Sequence, residues 1–296
     1  MKRRLVKQGA ATMMVSLPSK WIKANKLGKG DEIEIEEKQN SMVVTLESKK
    51  SKRQTEINLA SLTESSVRTI LTNAYRLGYD KINLNFQNKN ALEIIQNTIK
   101  NNLIGFEIIK RTEKSCEIEN ITEPSKEQFD NIFSKIFLNI DELFEISENM
   151  LQGKKQEFET TEQKIQQFDN FCRRVIAKND LYEQYQLRWA FHAELIHAQR
   201  EIYHMLRCLE NSKIKEDKCI SLLLTECRKI FEILKQAYKE KNISLLEKIH
   251  DLEKEIIYKS GYSALNKSKN TIVVHHLINS IRGFYLASSP LIGTFI

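Results

Sequence analysis

Residues 1–30 read MKRRLVKQGAATMMVSLPSKWIKANKLGKG, and they contain eight basic residues without a single Asp or Glu. The basic residues are Lys2, Arg3, Arg4, Lys7, Lys20, Lys23, Lys26 and Lys29. Counted as far as Arg53, the N-terminal segment has 13 basic and 6 acidic residues, and this excess equals the net charge of +7 of the whole 296-residue chain. The rest of the chain is therefore electrically neutral. Because clustered cations release condensed counterions from a phosphate backbone, this segregation favours a polyanionic partner at one end.

Hydrophobic and polar residues alternate in this N-terminal segment. The hydrophobic members are Met13, Val15 and Leu17, then Ile33 and Ile35, then Met42, Val44 and Leu46. Hydrophobic residues at every second position predict half-buried strands. Pro18 suits the opening of a short helix, and Gly28 with Gly30 would end it and turn the chain into the next strand. The predicted order is strand, strand, short helix, strand, strand. So small a sheet rarely stabilises itself, so we expect two copies of the chain to interleave their hairpins.

The run VKQGAATMMVSLPSKWIKANKLGKGDEIEI resembles the AbrB/MazE/SpoVT swapped-hairpin DNA-binding domain over roughly residues 1–47. The strand, the LPxxW helix opening, the GDE turn and the next strand follow in the order of that family. The resemblance implies a homodimer that swaps hairpins, with basic residues facing DNA. Those residues are Lys2, Arg3, Arg4, Lys7, Lys20 and Lys23. The alternatives are solvated charges on an exposed sheet, a disordered tail, an antitoxin, or a module that only dimerises.

Composition bounds the class of protein. A hydrophobic content of 41% and a charged content of 29% are typical of a soluble globular protein, and 296 residues suffice for two or three domains. No stretch approaches about 18 uninterrupted apolar residues, so no membrane insertion is expected. Lys7 and Gln8 interrupt the apolar run after MKRR, unlike a signal peptide. The five cysteines form no C-x-x-C pair and no zinc-like spacing. We therefore expect a cytoplasmic protein with free thiols.

Residues 54–122 alternate between strand and helix patterns. Strands are predicted at Thr55–Leu59, Lys81–Phe86, Phe106–Lys110 and Cys116–Ile121. Ser61-x-x-Glu64 is a capping-box pattern for a first helix that Gly78 would end, and a second helix would stop near Gly105. The order β-α-β-α-β-β predicts a small two-layer α/β domain. Phosphate-binding glycine loops of the G-x-G-x-x-G and G-x-x-x-x-G-K-[ST] types are absent from the sequence, so a packing module is the preferred interpretation.

Residues 125–290 show helical periodicity throughout. Six antiparallel helices are predicted, near 129–144, 160–178, 181–209, 214–241, 243–260 and 271–289. The tripeptide Phe144-Glu145-Ile146 recurs as Phe231-Glu232-Ile233, 87 residues later. The same offset aligns apolar positions in the following helix. This echo predicts a duplicated three-helix unit, that is, two three-helix bundles.

The architecture as a whole, with AYRLGYDKI, LIGFEII and SIRGFYLASSPLIG within it, resembles archaeal-type PhoU-related phosphate-uptake regulators that carry an AbrB-like N-terminus. The implied fold class is multidomain α+β: a swapped-hairpin domain at 1–48, a small α/β domain at 54–122 and an all-α PhoU-like region at 125–290. The resemblance implies a DNA-binding transcriptional regulator of phosphate uptake or homeostasis. The alternative is an adaptor that binds a phosphate transporter or a sensor kinase, with an N-terminal domain that only dimerises.

PhoU proteins hold metal clusters with E-x-x-x-D runs, and this chain departs from that pattern. In the run that would begin at Glu194, Ala198 occupies the position of the Asp. In the run that would end at Asp169, Ile165 occupies the position of the Glu. The last helix offers Asn279 and Ser280 in place of acidic residues.

One other stripe could bind a metal ion. It consists of Glu194, His197, Glu201 and His204 on the third helix of this region. Carboxylate and imidazole at i, i+3 spacing suit Fe, Mn or Zn. The stripe lies opposite the apolar residues Leu195, Ile202 and Leu209, so a solvated polar face is the preferred interpretation and no cofactor is expected. Neither a Ser/His/Asp order nor H-E-x-x-H occurs, and the sequence does not indicate an enzyme.

Overall fold

The computed structural model describes residues 2–9, 12–38, 41–45, 52–59, 63–88, 90–122, 126–178, 184–211 and 217–296. The chain divides into two compact units, an N-terminal unit of Met1–Lys52 and a C-terminal unit of Arg53–Ile296. The predicted boundaries at 1–48, 54–122 and 125–290 stay a prediction. Across the described ranges, no helix is both long enough and apolar enough to cross a bilayer.

The N-terminal unit consists of two hairpins and one short helix. Its elements are β1 (Val6–Gln8), β2 (Thr12–Met14), α1 (Ser19–Ala24), β3 (Glu34–Lys38) and β4 (Ser41–Thr45). Strands β1 and β2 pair antiparallel, as do β3 and β4. This confirms the predicted order of elements. Pro18 is the residue just before α1, and the left-handed backbone of Lys26, with φ of 54°, follows the helix ahead of the two glycines.

The C-terminal unit begins with a four-stranded sheet covered by two helices. These elements are β5 (Gln54–Asn58), α2 (Glu64–Arg76), β6 (Lys81–Asn85), α3 (Ala91–Asn102), β7 (Phe106–Arg111) and β8 (Ser115–Asn120). The strand order is β5-β6-β8-β7, with β5 parallel to β6 and β8 antiparallel to both of its neighbours. The predicted β-α-β-α-β-β order is confirmed, and Val67, Leu71, Ile82, Ile95 and Ile118 are completely buried between the layers.

The start of α2 differs from the predicted capping box. Thr63, not Ser61, is the N-cap residue, and its hydroxyl accepts a hydrogen bond from the Ser66 backbone N–H at 3.2 Å. Glu64 is then the first helical residue, where its charge favours the positive end of the helix dipole. Ser61 lies outside the described residues.

The remaining helices form one continuous apolar core. They are α4 (Lys126–Leu151), α5 (Glu159–Lys178), α6 (Tyr185–Glu210), α7 (Lys218–Glu240), α8 (Ile243–Glu255), α9 (Tyr262–Lys267) and α10 (Thr271–Gly293). A π-helical turn, Ile256–Gly261, joins α8 to α9. The six predicted helical stretches are confirmed. Helix α10 continues through Pro290 to Gly293, beyond the predicted end. The predicted starts of the third helix at 181 and of the fourth helix at 214 lie outside the described residues.

Helices α4, α5 and α6 pack against one another, as do α7, α8 and α10. The offset of 87 residues carries Phe144 of α4 onto Phe231 of α7, and the two rings contact each other with centroids 5.5 Å apart. Helices α6 and α10 meet closely, because Gly283 of α10 faces Ala198 of α6.

Candidate nucleic-acid interface

The six predicted DNA-binding residues occupy three segments of the N-terminal unit. Lys2, Arg3 and Arg4 precede β1, Lys7 lies in β1, and Lys20 with Lys23 lies on α1. The spacing of Lys20 and Lys23 puts both on one face of that helix. All six side chains are exposed.

None of these six cations forms an ion pair with a carboxylate of the described residues. The acidic residues of the unit follow later in the chain, beginning at Asp31, whose Oδ2 accepts a 2.7 Å hydrogen bond from the Gly28 backbone N–H. The charges of the basic segments are therefore available to an external anion.

Register fixes which side chains share a face of the first hairpin. Lys7 is paired with Met13, while Val6 is paired with Met14. Directly paired residues lie on the same face, and successive residues alternate. One face of the hairpin therefore carries Lys7 and Met13, and the other carries Val6 and Met14.

The N-terminal unit has no buried side chain among those that the structure describes in it. Instead, large hydrophobic side chains are exposed. Their exposed fractions are Leu5 65%, Val6 58%, Met13 56%, Met14 44%, Val15 47%, Ile35 53% and Met42 59%. On the second hairpin, Ile35 and Val44 are paired, and Met42 shares their face. So much exposed apolar surface on so small a unit is typical of a protein interface.

The proposed metal stripe lies on α6 and is only partly solvated. His197 is exposed, whereas Glu194, Glu201 and His204 are half-buried. Glu201 Oε2 lies 2.8 Å from Nδ1 of His276, which belongs to α10. The stripe is thus partly covered by a neighbouring helix, which corrects the expectation of a wholly solvated face. Within the described ranges, no group of three His, Cys, Asp or Glu side chains is arranged to hold a metal ion, and the metal hypothesis stays a prediction.

Sequence reasoning missed a buried charge cluster centred on Asp169 of α5. The Asp169 carboxylate is completely buried and lies 2.9 Å from Arg173 Nε, 3.3 Å from Arg76 Nη2 and 3.4 Å from His192 Nδ1. Burial alone would raise the pKa of Asp169, but Arg173, His192 and Arg76 together hold it below its ordinary value. Burial lowers the pKa of His192, partly opposed by Asp169, so this imidazole is neutral near neutral pH.

The signal that could have revealed this cluster is the run Asp169, Asn170, Arg173 and Arg174. These polar residues are all buried, on a helix whose other buried positions are mostly apolar. Buried charges on such a helix need partners. The partners come from α2, α3, α6 and the residue before β6, which a single sequence does not bring together.

All five cysteines have free thiols. Cys116, Cys172 and Cys227 are buried, and burial raises the pKa of Cys116 to about 11 and of Cys227 to about 12. Their thiols therefore remain protonated and behave as small hydrophobic groups.

Comparison with protein families supports the N-terminal prediction. Residues 6–54 match the model of the MazE antitoxin family, described as antidote-toxin recognition MazE, bacterial antitoxin. The match supports an AbrB/MazE-type domain in this segment, which fits DNA binding and dimerisation or antitoxin-type regulation. Lys7, Lys20 and Lys23 lie within the matched residues, whereas Lys2, Arg3 and Arg4 precede them. No curated protein and no solved structure matches the chain.

Proposed function

We propose that the chain is a dimeric DNA-binding regulator whose N-terminal unit contacts the phosphate backbone. The observation that carries this proposal is the set of exposed basic side chains, from Lys2 to Lys23, without ion-pair partners among the described residues. A cation that already neutralises a carboxylate of its own chain gains little from DNA. A free exposed cation releases a counterion from each phosphate that it neutralises.

Dimerisation follows from the exposed hydrophobic residues of the two hairpins. A unit of about 50 residues rarely holds a stable core alone. Pairing of two copies would cover Ile35, Met42 and Val44 on the second hairpin, together with the apolar side chains of the first. It would also double the number of cations in one particle, which strengthens binding to a polyanion.

The basic residues would set affinity and orientation more than sequence choice. Exposed Lys and Arg side chains mainly contact phosphates, and these contacts carry no direct sequence information. Sequence choice would then depend on polar side chains near them or on the shape of the duplex.

The C-terminal unit would carry the regulatory signal. Its role in phosphate uptake or homeostasis, through sensing or through a transporter or kinase partner, rests on the resemblance of its architecture to PhoU-related regulators. We propose that phosphate status is the signal to which the C-terminal unit responds. Deletion of the gene, with phosphate uptake measured under limitation and excess, tests it separately from DNA binding.

Selection of genomic fragments tests the DNA-binding proposal. The full chain is mixed with sheared DNA from its own source, and bound fragments are recovered and sequenced. We expect reproducible enrichment with the natural chain and loss of it in the variant Arg3→Ala, Arg4→Ala, Lys7→Ala. The matched control replaces Lys155, Lys164 and Lys248 by Ala, three exposed lysines of the C-terminal unit. Equal recovery by the two triple variants would contradict the proposal.

A second candidate is favoured by the family match, since the matched family is named for antitoxins that recognise a toxin. In that case the N-terminal unit would bind a partner protein. A stoichiometric protein that co-purifies with the natural chain and resists nuclease treatment would favour this candidate, particularly if no DNA fragment is enriched.

A further inference from the structure

A polar groove lies within the C-terminal unit, between helices α2 and α3 on one side and α5 and α6 on the other. Its volume is about 570 Å³, which is in the range of small-molecule sites. Such sites are usually lined by apolar residues. This groove is lined almost wholly by Arg, Glu, Asn, Gln, Ser and Thr side chains. Its ligand would therefore be polar and held by hydrogen bonds and charges.

Arg76 is fixed in the groove by groups behind it. Its Nε donates a 2.8 Å hydrogen bond to Asn170 Oδ1, and its Nη2 lies 3.3 Å from Asp169 Oδ2. Asn170 is itself held, because its Nδ2 donates to the Asn102 carbonyl at 3.0 Å. A guanidinium has five N–H groups, so three remain for a ligand. A guanidinium held in this way loses little freedom when it binds an oxyanion.

Positive charge is in excess near Arg76. Asp169 is shared between Arg76 and Arg173, and the neighbouring His192 is neutral, so one carboxylate serves two guanidinium groups. Arg200 also lines the groove, is exposed and has no ion-pair partner among the described residues. An anionic group of a ligand would be attracted here.

Glu162 supplies the opposite charge to the same groove. No cation of the described residues lies within ion-pair distance of its carboxylate, and burial raises its pKa, an effect that the charge of Arg200 partly opposes. Close by, the Gln166 amide, whose Nε2 is shielded from solvent, lies near enough to the Glu162 carboxylate to oppose the rise in its pKa. A ligand cation at Glu162 would offset the cost of burying this carboxylate.

We propose that this groove binds a small zwitterion of the amino-acid class, with the ligand carboxylate on Arg76 and Arg200 and its ammonium group on Glu162. Glu162 and Asn170, the residue that holds Arg76, are eight positions apart on α5, which corresponds to about 12 Å at 1.5 Å per residue. Arg200 interacts electrostatically with both Arg76 and Glu162, so the carboxylate and the ammonium group of one amino acid can bind among these three residues, with the amino-acid side chain towards the rest of the groove. The amide and hydroxyl groups between the two ends would bind that side chain.

Thermal unfolding of the full chain tests this proposal. Each standard L-amino acid is added separately, with acetate and inorganic phosphate as plain anions at the same concentration. We expect one or a few amino acids to raise the melting temperature in a saturable way, because a ligand that binds only the folded state stabilises it. Arg200→Gln and Glu162→Gln should each weaken that amino acid about tenfold or more, the usual effect of losing a charged hydrogen bond.

The controls separate this site from other effects. Arg282→Gln changes an arginine on α10 outside the groove and should leave the shift unchanged. The N-terminal variant Arg3→Ala, Arg4→Ala, Lys7→Ala should also retain it, so the outcome is independent of DNA binding. The proposal is overturned if no amino acid raises the melting temperature, or if Arg200→Gln and Glu162→Gln leave the shift intact. It is equally overturned if acetate or phosphate stabilises as well as any amino acid and Glu162→Gln does not matter.

Discussion

Asp80, the residue before β6, accepts a 2.6 Å hydrogen bond from the guanidinium of Arg174 on α5. Lys178 donates to the same carboxylate oxygen at 2.6 Å, and the backbone N–H of Arg53 donates to the other at 3.0 Å. One carboxylate therefore ties the sheet to a helix of the bundle. Together with the Asp169 cluster it explains how the α/β layer and the helices form one compact unit.

Removal of this carboxylate should be costly. In Asp80→Ala, the Arg174 side chain, which is only 1% exposed, would lose the Asp80 carboxylate as a partner. Breaking a buried ion pair from one side costs roughly 3–5 kcal/mol. We expect a loss of that order in the free energy of unfolding, measured by urea denaturation.

The matched control for Asp80 is Glu117→Ala. Glu117 also forms a 2.6 Å ion pair, with Lys81 in the same sheet, but both side chains are about one quarter exposed. Partly solvated pairs contribute about 0–1 kcal/mol. If the two substitutions lower the free energy of unfolding by the same amount, burial does not explain how much the Asp80 ion pair contributes to stability.

We expect the buried His192 to make the stability of the protein depend on pH. Its folded pKa lies below the ordinary value of 6.5, so between the two values the unfolded chain binds a proton that the folded chain does not. Stability should therefore fall as the pH drops from about 7.5 to about 5.5. His192→Phe should reduce this fall, measured as the change in melting temperature between the two pH values.

An exposed histidine of the same helix provides the comparison. His197→Gln should keep the pH dependence of the natural chain, because His197 lies at the surface of α6. An undiminished pH dependence in His192→Phe would exclude the buried imidazole as its source.

Gly283 sets the close approach of α10 to α6. A Cβ atom at this position would lie 2.7 Å from the Ala198 Cβ and 2.9 Å from its Cα, atoms that cannot rotate away. Overpacking of this kind costs about 1–3 kcal/mol. The gain in helix propensity from Gly to Ala is about 1 kcal/mol at most. Gly283→Ala should therefore lower the melting temperature, whereas Ser289→Ala at an exposed site of the same helix should not. A melting temperature of Gly283→Ala at or above that of the natural chain would contradict this helix contact.

Dimerisation through the hairpins can be tested with one added charge. Ile35 is 53% exposed in a single copy and shares its face with Val44 and Met42. If a second chain covers this face, Ile35→Glu would bury an unpaired carboxylate and shift the protein towards monomer in light-scattering chromatography. Leu138→Glu, at a 65% exposed site of α4, is the control. A natural chain that elutes as a monomer at micromolar concentration would exclude the predicted homodimer.

The order of elements was predictable because its signals are local. Alternation around Ile35 and Met42 gives a hairpin, and helical spacing from Phe129 to Phe144 gives α4, whatever the rest of the chain does. The cap of α2 was misplaced by two residues, because Ser61 and Thr63 are both good N-cap residues and only the folded backbone selects Thr63.

The charge clusters were not predictable, because each joins residues far apart in the sequence. Arg76, Asp169 and His192 come from three different helices, α2, α5 and α6. Glu201 of α6 contacts His276 of a fourth helix, α10. Nothing in a single sequence pairs them. The candidate DNA-binding residues could be proposed from the sequence, because the exposure of basic side chains on a small unit requires no long-range partner.

The salt dependence of DNA affinity tests the central proposal most directly. If about four cations per chain engage, a dimer neutralises about eight phosphates, and the logarithm of the affinity should fall against the logarithm of salt concentration with a slope of about −7, at about −0.9 per phosphate. The variant Arg3→Ala, Arg4→Ala, Lys7→Ala, folded as judged by its melting temperature, should flatten the slope to about −2. The control with Lys155, Lys164 and Lys248 replaced by Ala should keep it near −7. A slope that the N-terminal substitutions leave unchanged would contradict DNA binding by this unit.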